Sequence, residues 1–219
     1  PLAVTPGAGS ASFTSGDNTI STPVAVDAGL TLSGGNSATL ASATVAITGN
    51  FQVNHDELVF IGNPATSGDI SGVYDSGTGV LTLTSAGGAS LAQWQTALRS
   101  IRFTNDLVVP SSATRTVSFQ ISDGTQTSAV AARSVTVTAT DQTPLLGNSG
   151  NTAHFVSGDN SASTPVVVNS AITVSDADGG PLQQAVVTIS GNYQQTDELR
   201  YINNNAALYG NIFATYVNG

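Results

Sequence analysis

Phe13 opens the stretch FTSGDNTISTPVAVDAGLTLS, and 142 residues later Phe155 opens FVSGDNSASTPVVVNSAITVS. The same offset pairs Leu40 with Leu182, Ile47 with Ile189, and Gly49-Asn50 with Gly191-Asn192. It slips by one residue to match Asp56-Glu57-Leu58 with Asp197-Glu198-Leu199. It then returns, setting Gly68, Ile70, Tyr74 and Gly77 against Gly210, Ile212, Tyr216 and Gly219. Solenoid repeats have periods of roughly 20–50 residues, so a period this long is a whole small domain. The sequence therefore reads as a linker or N-terminal segment (1–12), a complete repeat (13–140), an inter-repeat linker (141–154) and a partial second repeat (155–219).

Within the first repeat, short alternating runs are separated by turn residues. Val24-Ala25-Val26 follows a proline, which a strand tolerates at its first residue. Leu30 to Ser33, Ala43 to Ile47 and Glu57 to Ile61 continue the pattern. Gly68 to Tyr74 and Val80 to Thr84 flank the hairpin signal Asp75-Ser76-Gly77-Thr78-Gly79. Residues 115–122 alternate with Val117, Phe119 and Ile121 on one face, and 129–138 follow after Asp123-Gly124. Many short strands with turn signals every 8–12 residues or so predict a β-sandwich. One stretch departs from this. Leu91, Trp94 and Leu98 recur at i, i+3 and i+7, and Ser90 with Gln93 forms a capping-box pattern, so 90–98 is expected to be a short helix. Trp94 lies on its apolar stripe and is assigned to the core rather than to carbohydrate stacking.

Composition narrows the function classes. There is no Cys and no Met, and five Arg face fourteen Asp plus Glu for a net charge of −9. Without Cys there are neither disulfides nor thiolate metal sites. Such an acidic surface disfavours nucleic acid, whose binding rests on phosphate neutralisation by basic residues. No apolar run approaches the roughly 20 residues of a membrane helix, so membrane insertion is not expected.

Several motifs resemble cadherin-like repeats: the Asp141-x-x-Pro144 boundary, the turn Val174-Ser175-Asp176-Ala177-Asp178-Gly179-Gly180, and Phe119-x-Ile121-x-Asp123-Gly124. More narrowly, Ala92-Gln93-Trp94-Gln95-Thr96-Ala97-Leu98-Arg99 followed by Ile101-x-Phe103-x-Asn105 is similar to repeats of very large secreted bacterial adhesins. The resemblance implies an all-β chain of tandem Ig-like or cadherin-like β-sandwiches, with one short helix per repeat and the second repeat incomplete. It implies an extracellular structural or adhesive module on a bacterial surface or in a biofilm matrix, with neighbouring repeats of the same or another copy as partners, and a cell-surface glycan or protein as a further one.

The resemblance also implies Ca2+ at the junction between repeats. The matching positions are Asp141, Asp176 and Asp178, and the second-loop Asp of repeat 2, the counterpart of Asp123, lies beyond Gly219. In repeat 1, Gly34-Gly35-Asn36 stands in place of Asp176-Ala177-Asp178. Against the metal reading, Asp and Gly are ordinary turn residues. No enzyme is expected. Asp56 and Glu57 are adjacent on a strand and so face opposite ways, whereas a catalytic pair must converge. His55 and His154 fit no motif spacing and are read as surface residues. There is no nucleophile elbow and no phosphate loop. Tyr74 and Tyr216 are the best candidates for an exposed sugar-stacking face. Three readings follow: a rod-like adhesive repeat, a filament or sheath subunit whose partial repeat a neighbouring chain completes by strand addition, and a carbohydrate-binding module.

Overall fold

The computed structural model describes residues 1–34, 37–148, 150 and 152–217. Gly35, Asn36 and Gly219 of the motifs above lie outside these residues. The chain forms two compact units, Pro1–Gly180 and Pro181–Gly219. It is built mainly of β-strands in several sheets, with few helical residues.

In chain order the strands of the first repeat are β1 (Ala3–Thr5), β2 (Ala11–Thr14), β3 (Val24–Ala25), β4 (Thr31–Ser33), β5 (Ser42–Gly49) and β6 (Asp56–Val59). One helical turn, α1 (Pro64–Ser67), precedes the hairpin β7 (Ser71–Asp75) and β8 (Val80–Thr84). Helix α2 (Leu91–Ser100) is followed by β9 (Arg102–Asn105), β10 (Arg115–Ser122) and β11 (Ala131–Thr138). Beyond them come β12 (Leu145–Gly147), β13 (Thr173–Ser175) and the single turn α3 (Ala206–Tyr209).

A six-stranded sheet runs β2-β11-β10-β5-β8-β7, with β2 parallel to β11 and the other pairs antiparallel. A three-stranded sheet runs β3-β9-β6. Alternation decides which face each strand buries. β5 buries Ala43, Val45 and Ile47, and β10 buries Val117, Phe119 and Ile121. Phe13 of β2 meets Phe103 of β9 edge to face at 5.3 Å, which joins the two sheets through the core.

Helix α2 forms where the sequence signals it. Ser90 Oγ accepts from the Gln93 N–H, and Gln93 Oε1 accepts from the Ser90 N–H at 2.8 Å, a reciprocal capping box. Its inner face carries Trp94 and Leu98, both with no exposed surface. The Trp94 indole N–H donates to the Leu40 carbonyl at 2.9 Å, so the buried ring keeps its one polar atom satisfied. Gln95 and Arg99 tie the helix to the segment before it, by bonds to the Leu32 N–H and the Leu30 carbonyl.

The structure adds three details. The linker or N-terminal segment 1–12 contains β1, which pairs with β4, and its Leu2 and Val4 pack into the core. Residues 141–154 likewise contain β12, which pairs with β13. The first repeat has a second helical element, α1, because Asn63 accepts the Ala65 N–H and Pro64 supplies the first helical φ.

Candidate functional site

The segment after β11 is short and tightly held. Gln142 is almost fully buried, and its amide is saturated. Its Oε1 accepts from the Asn18 N–H at 2.7 Å, and its Nε2 donates to the carbonyls of Gly16, Val108 and Thr140 at 3.2, 3.3 and 2.7 Å. The backbone N–H of Gln142 donates to Asp178 Oδ2 at 2.7 Å. Beside it, the Thr143 N–H and hydroxyl both donate to Asp17, the former at 2.8 Å, and Asn18 Nδ2 donates to the Thr143 carbonyl at 2.9 Å. The Gly-Asp-Asn turn that marks the start of the repeat therefore also clamps the segment at its end. Asn18 takes the left-handed conformation there, with φ of 49°.

Three of the four acidic groups at this junction are those singled out in the sequence. The neighbouring Asp178 carboxyl raises Asp176 above its ordinary value, and burial and the charges of Asp178 and Asp141 add to the rise. Asp178 is lowered, first by the Gln142 N–H and then by Asp176. Asp17 is lowered by the Thr143 N–H and hydroxyl. Asp176 Oδ1 is enclosed and has no hydrogen-bond partner among the described residues. An enclosed carboxylate oxygen without a donor, beside two further acids, is chemistry that suits a hard cation. Among the described residues, however, no group of three or more His, Cys, Asp or Glu has the arrangement to hold a metal ion. Asp123, the second-loop acid of repeat 1, is held far below the ordinary range by the Ser37 hydroxyl and by the Gln126 and Thr125 N–H groups. It caps its own turn.

A shallow polar groove of about 360 Å³ lies between β6 and β7. His55 Nδ1 meets Asp106 Oδ1 there at 2.8 Å, with both side chains substantially exposed. Tyr74, on the groove wall, is half-buried, and its hydroxyl donates to the Asp56 carbonyl at 2.6 Å. Burial, followed by the charges of Asp56, Glu57 and Asp75, pushes this phenol well above its usual range. Tyr216 makes the same bond to the Asp197 carbonyl, also at 2.6 Å, and is 40% exposed. Asp56 and Glu57 face opposite ways, Asp56 buried and Glu57 exposed. His154 is exposed.

Two residues matter more than the sequence suggested. One is Gln142. The other is Arg115, which lies buried with its Nε 2.9 Å from Asp56 Oδ2. Its signal was present: Arg115 falls on the same alternation as Val117, Phe119 and Ile121.

No protein-family model matches the chain, and no curated protein matches it.

Proposed function

We propose that this chain is an extracellular structural or adhesive repeat module of a large bacterial surface or biofilm-matrix protein. Its Ig-like or cadherin-like sandwiches would stack as a rod-like spacer. The observation that carries this reading is the clamped segment after β11. Gln142 and Asp17 hold it by hydrogen bonds on several sides, where a freely jointed linker would leave it in solvent. The Phe13–Phe103 contact between two sheets supports the sandwich. Asp141, Asp176 and Asp178 would hold Ca2+ at the junction, a reading supported by the unpartnered Asp176 Oδ1. The ion would remove the repulsion among the three acids and stiffen the segment.

The test is direct. Small-angle scattering on chains carrying one, two and four repeats should give a maximum dimension that grows linearly with repeat number. A compact particle at every length would overturn the spacer. Adding millimolar Ca2+ should raise the melting temperature, and Asp178→Asn should abolish the rise. An unchanged melt removes the ion from the proposal while leaving the spacer standing.

The filament reading also has an observation in its favour. Many large apolar residues of the second repeat are exposed, with Phe155 at 59% where Phe13 is at 0%. Light scattering against concentration separates it from a monomeric spacer.

A further inference from the structure

The two repeats differ locally where their offset slips by one residue. Residues 51–58 read Phe-Gln-Val-Asn-His-Asp-Glu-Leu, and 193–199 read Tyr-Gln-Gln-Thr-Asp-Glu-Leu. The bonds that frame this stretch are the same in both. The Gln52 N–H donates to Asp56 Oδ2 at 2.8 Å, and the Gln194 N–H donates to Asp197 Oδ2 at 3.0 Å. The Tyr74 and Tyr216 hydroxyls donate to the carbonyls of Asp56 and Asp197, each at 2.6 Å. These contacts therefore form without the extra residue. What the first repeat gains from it is a longer loop between β5 and β6, Val53-Asn54-His55 in place of Gln195-Thr196. Asn54 turns the loop with φ of 64°, in the left-handed region that asparagine tolerates.

That loop carries Asn54 and His55 to the wall of the groove between β6 and β7. It is pinned on both sides. The Asn54 N–H donates to the Ser76 carbonyl at 2.9 Å, and Ser76 Oγ donates to Asn54 Oδ1 at 3.2 Å. The Asp106 N–H donates to the His55 carbonyl at 3.3 Å, and His55 Nδ1 meets Asp106 Oδ1 at 2.8 Å. The groove is thus shaped before a ligand arrives, which lowers the ordering cost of binding. Its volume, about 360 Å³, falls at the lower end of small-molecule sites, which span roughly 300–1,000 Å³.

The groove offers donors and acceptors side by side. Asn54 keeps its Nδ2, a donor, outside the bonds named above. With Nδ1–H donating to Asp106, the neutral His55 ring presents Nε2 as an acceptor. Glu57 and Thr104 are cross-strand neighbours on β6 and β9, one a carboxylate acceptor and the other a hydroxyl that does both. Among the described residues Glu57 forms no ion pair, whereas Asp106 is matched by His55 and Asp56 by Arg115. A small cation would use acceptors alone. A sugar hydroxyl donates and accepts, and so uses both kinds. Tyr74 adds half-buried ring surface to the wall, apolar area against which the C–H face of a sugar packs. Charge sets the selectivity, because Glu57 and Asp106, on a chain of net charge −9, repel a sugar that bears a carboxylate.

We propose that the groove between β6 and β7 is a binding site for one or two rings of a neutral saccharide. Asn54, His55 and Glu57 hold ring hydroxyls, and Tyr74 packs beside the ring. Every residue of the site belongs to the first repeat, so the site stands whether or not the sandwiches stack as a spacer. For a ligand of about a dozen heavy atoms on so shallow a surface, the expected Kd is about millimolar.

The experiment titrates the isotope-labelled 219-residue chain with the methyl glycosides of glucose, galactose, mannose and N-acetylglucosamine, and follows amide NMR shifts. At least one glycoside should shift the amides of 54–57, 76 and 104–106 saturably by about 50 mM, above the millimolar Kd expected. Glucuronic acid should bind about 10-fold more weakly or not at all. Exchanging Val53-Asn54-His55 for Gln-Thr installs the loop of the second repeat. It should weaken binding about 10-fold or more while the melting temperature holds, since the framing bonds form with either loop. His55→Ala and Asn54→Gly, the latter keeping the left-handed turn, should each weaken binding roughly 3–10-fold, and they read the site if the exchanged loop does not fold. Thr82→Ala, on the exposed face of β8, should change nothing. No saturable shift at these amides with any of the four glycosides overturns the site. Full binding by the loop exchange, or by both single variants, overturns the assignment to Asn54 and His55. Stronger shifts with n-butylammonium than with any glycoside would give the groove to a cation and overturn the saccharide.

Discussion

Arg115 and Asp56 have no exposed side-chain surface, and every arm of the guanidinium is used. Nε and Nη2 reach the two Asp56 oxygens at 2.9 and 3.2 Å, Nη2 also reaches Gln52 Oε1, and Nη1 reaches the carbonyls of Ser111 and Ala113. Asp56 also accepts from the Gln52 N–H and from Asn105 Nδ2. Desolvating two charges is costly, and the pair is tolerated because its hydrogen bonds are complete. Arg115→Leu should therefore cost about 3–5 kcal/mol in urea unfolding, since it leaves Asp56 buried without its cation. The double change Asp56→Leu with Arg115→Leu should cost less than the sum of the single changes, and simple additivity would show that the pair is not coupled. Asp176 makes the opposite case. Its folded-state pKa is raised, so its contribution favours folding at low pH and is lost as pH rises through the raised value. At neutral pH its charge opposes folding. Asp176→Asn should then raise the melting temperature in a chelator at pH 7, and a lowered one would mean that the carboxylate is paired in solution.

At the scale of the element, helix α2 shows what a local code can specify. The periodicity of Leu91, Trp94 and Leu98 and the Ser90–Gln93 box lie within a few residues of one another, and both formed as read. Ser90→Ala should cost about 1 kcal/mol through the lost cap. Trp94→Ala should cost about 3–5 kcal/mol, because the ring fills the core and bonds Leu40. If both changes cost the same in thermal melts, the helix is held by its cap rather than its packing. β5, β10 and β11 were legible for the same reason as α2, since alternation over eight residues is a strong signal. β1 was not legible. Three residues, Ala3–Thr5, carry no period of their own, and their strand character comes from β4, far along the chain. α1 is a single turn specified by Asn63-Pro64, a pair that reads equally well as a loop. At the junction, the acids Asp141, Asp176 and Asp178 were visible as residue types, but Gln142 was not. Its importance depends on carbonyls of Gly16 and Val108 that only the fold brings to it.

At the scale of the whole molecule, two opposing effects of acid can be separated. Asp17, Asp69, Asp75 and Asp123 are all lowered, mainly by hydrogen bonds from neighbouring N–H and hydroxyl groups in turns. A lowered folded-state pKa gives stability that is fully present above the unfolded value, about 3.9 for Asp, and is lost as pH falls through the folded values. Against this, the chain carries −9 at neutral pH, and protonation relieves its self-repulsion. The turn bonds act at contact distance, whereas the repulsion is spread over a surface where salt screens charges beyond about 10 Å at 0.1 M. The turn bonds should therefore decide the outcome at moderate salt. Melting temperature followed by circular dichroism should be nearly flat from pH 8 to pH 5 and should fall steeply below about pH 4. Raising salt to 0.5 M should lift the plateau slightly without moving the acid limb. A melting temperature that climbs between pH 5 and pH 3 would instead put the net charge in control, and the effect of salt on the plateau would then be large.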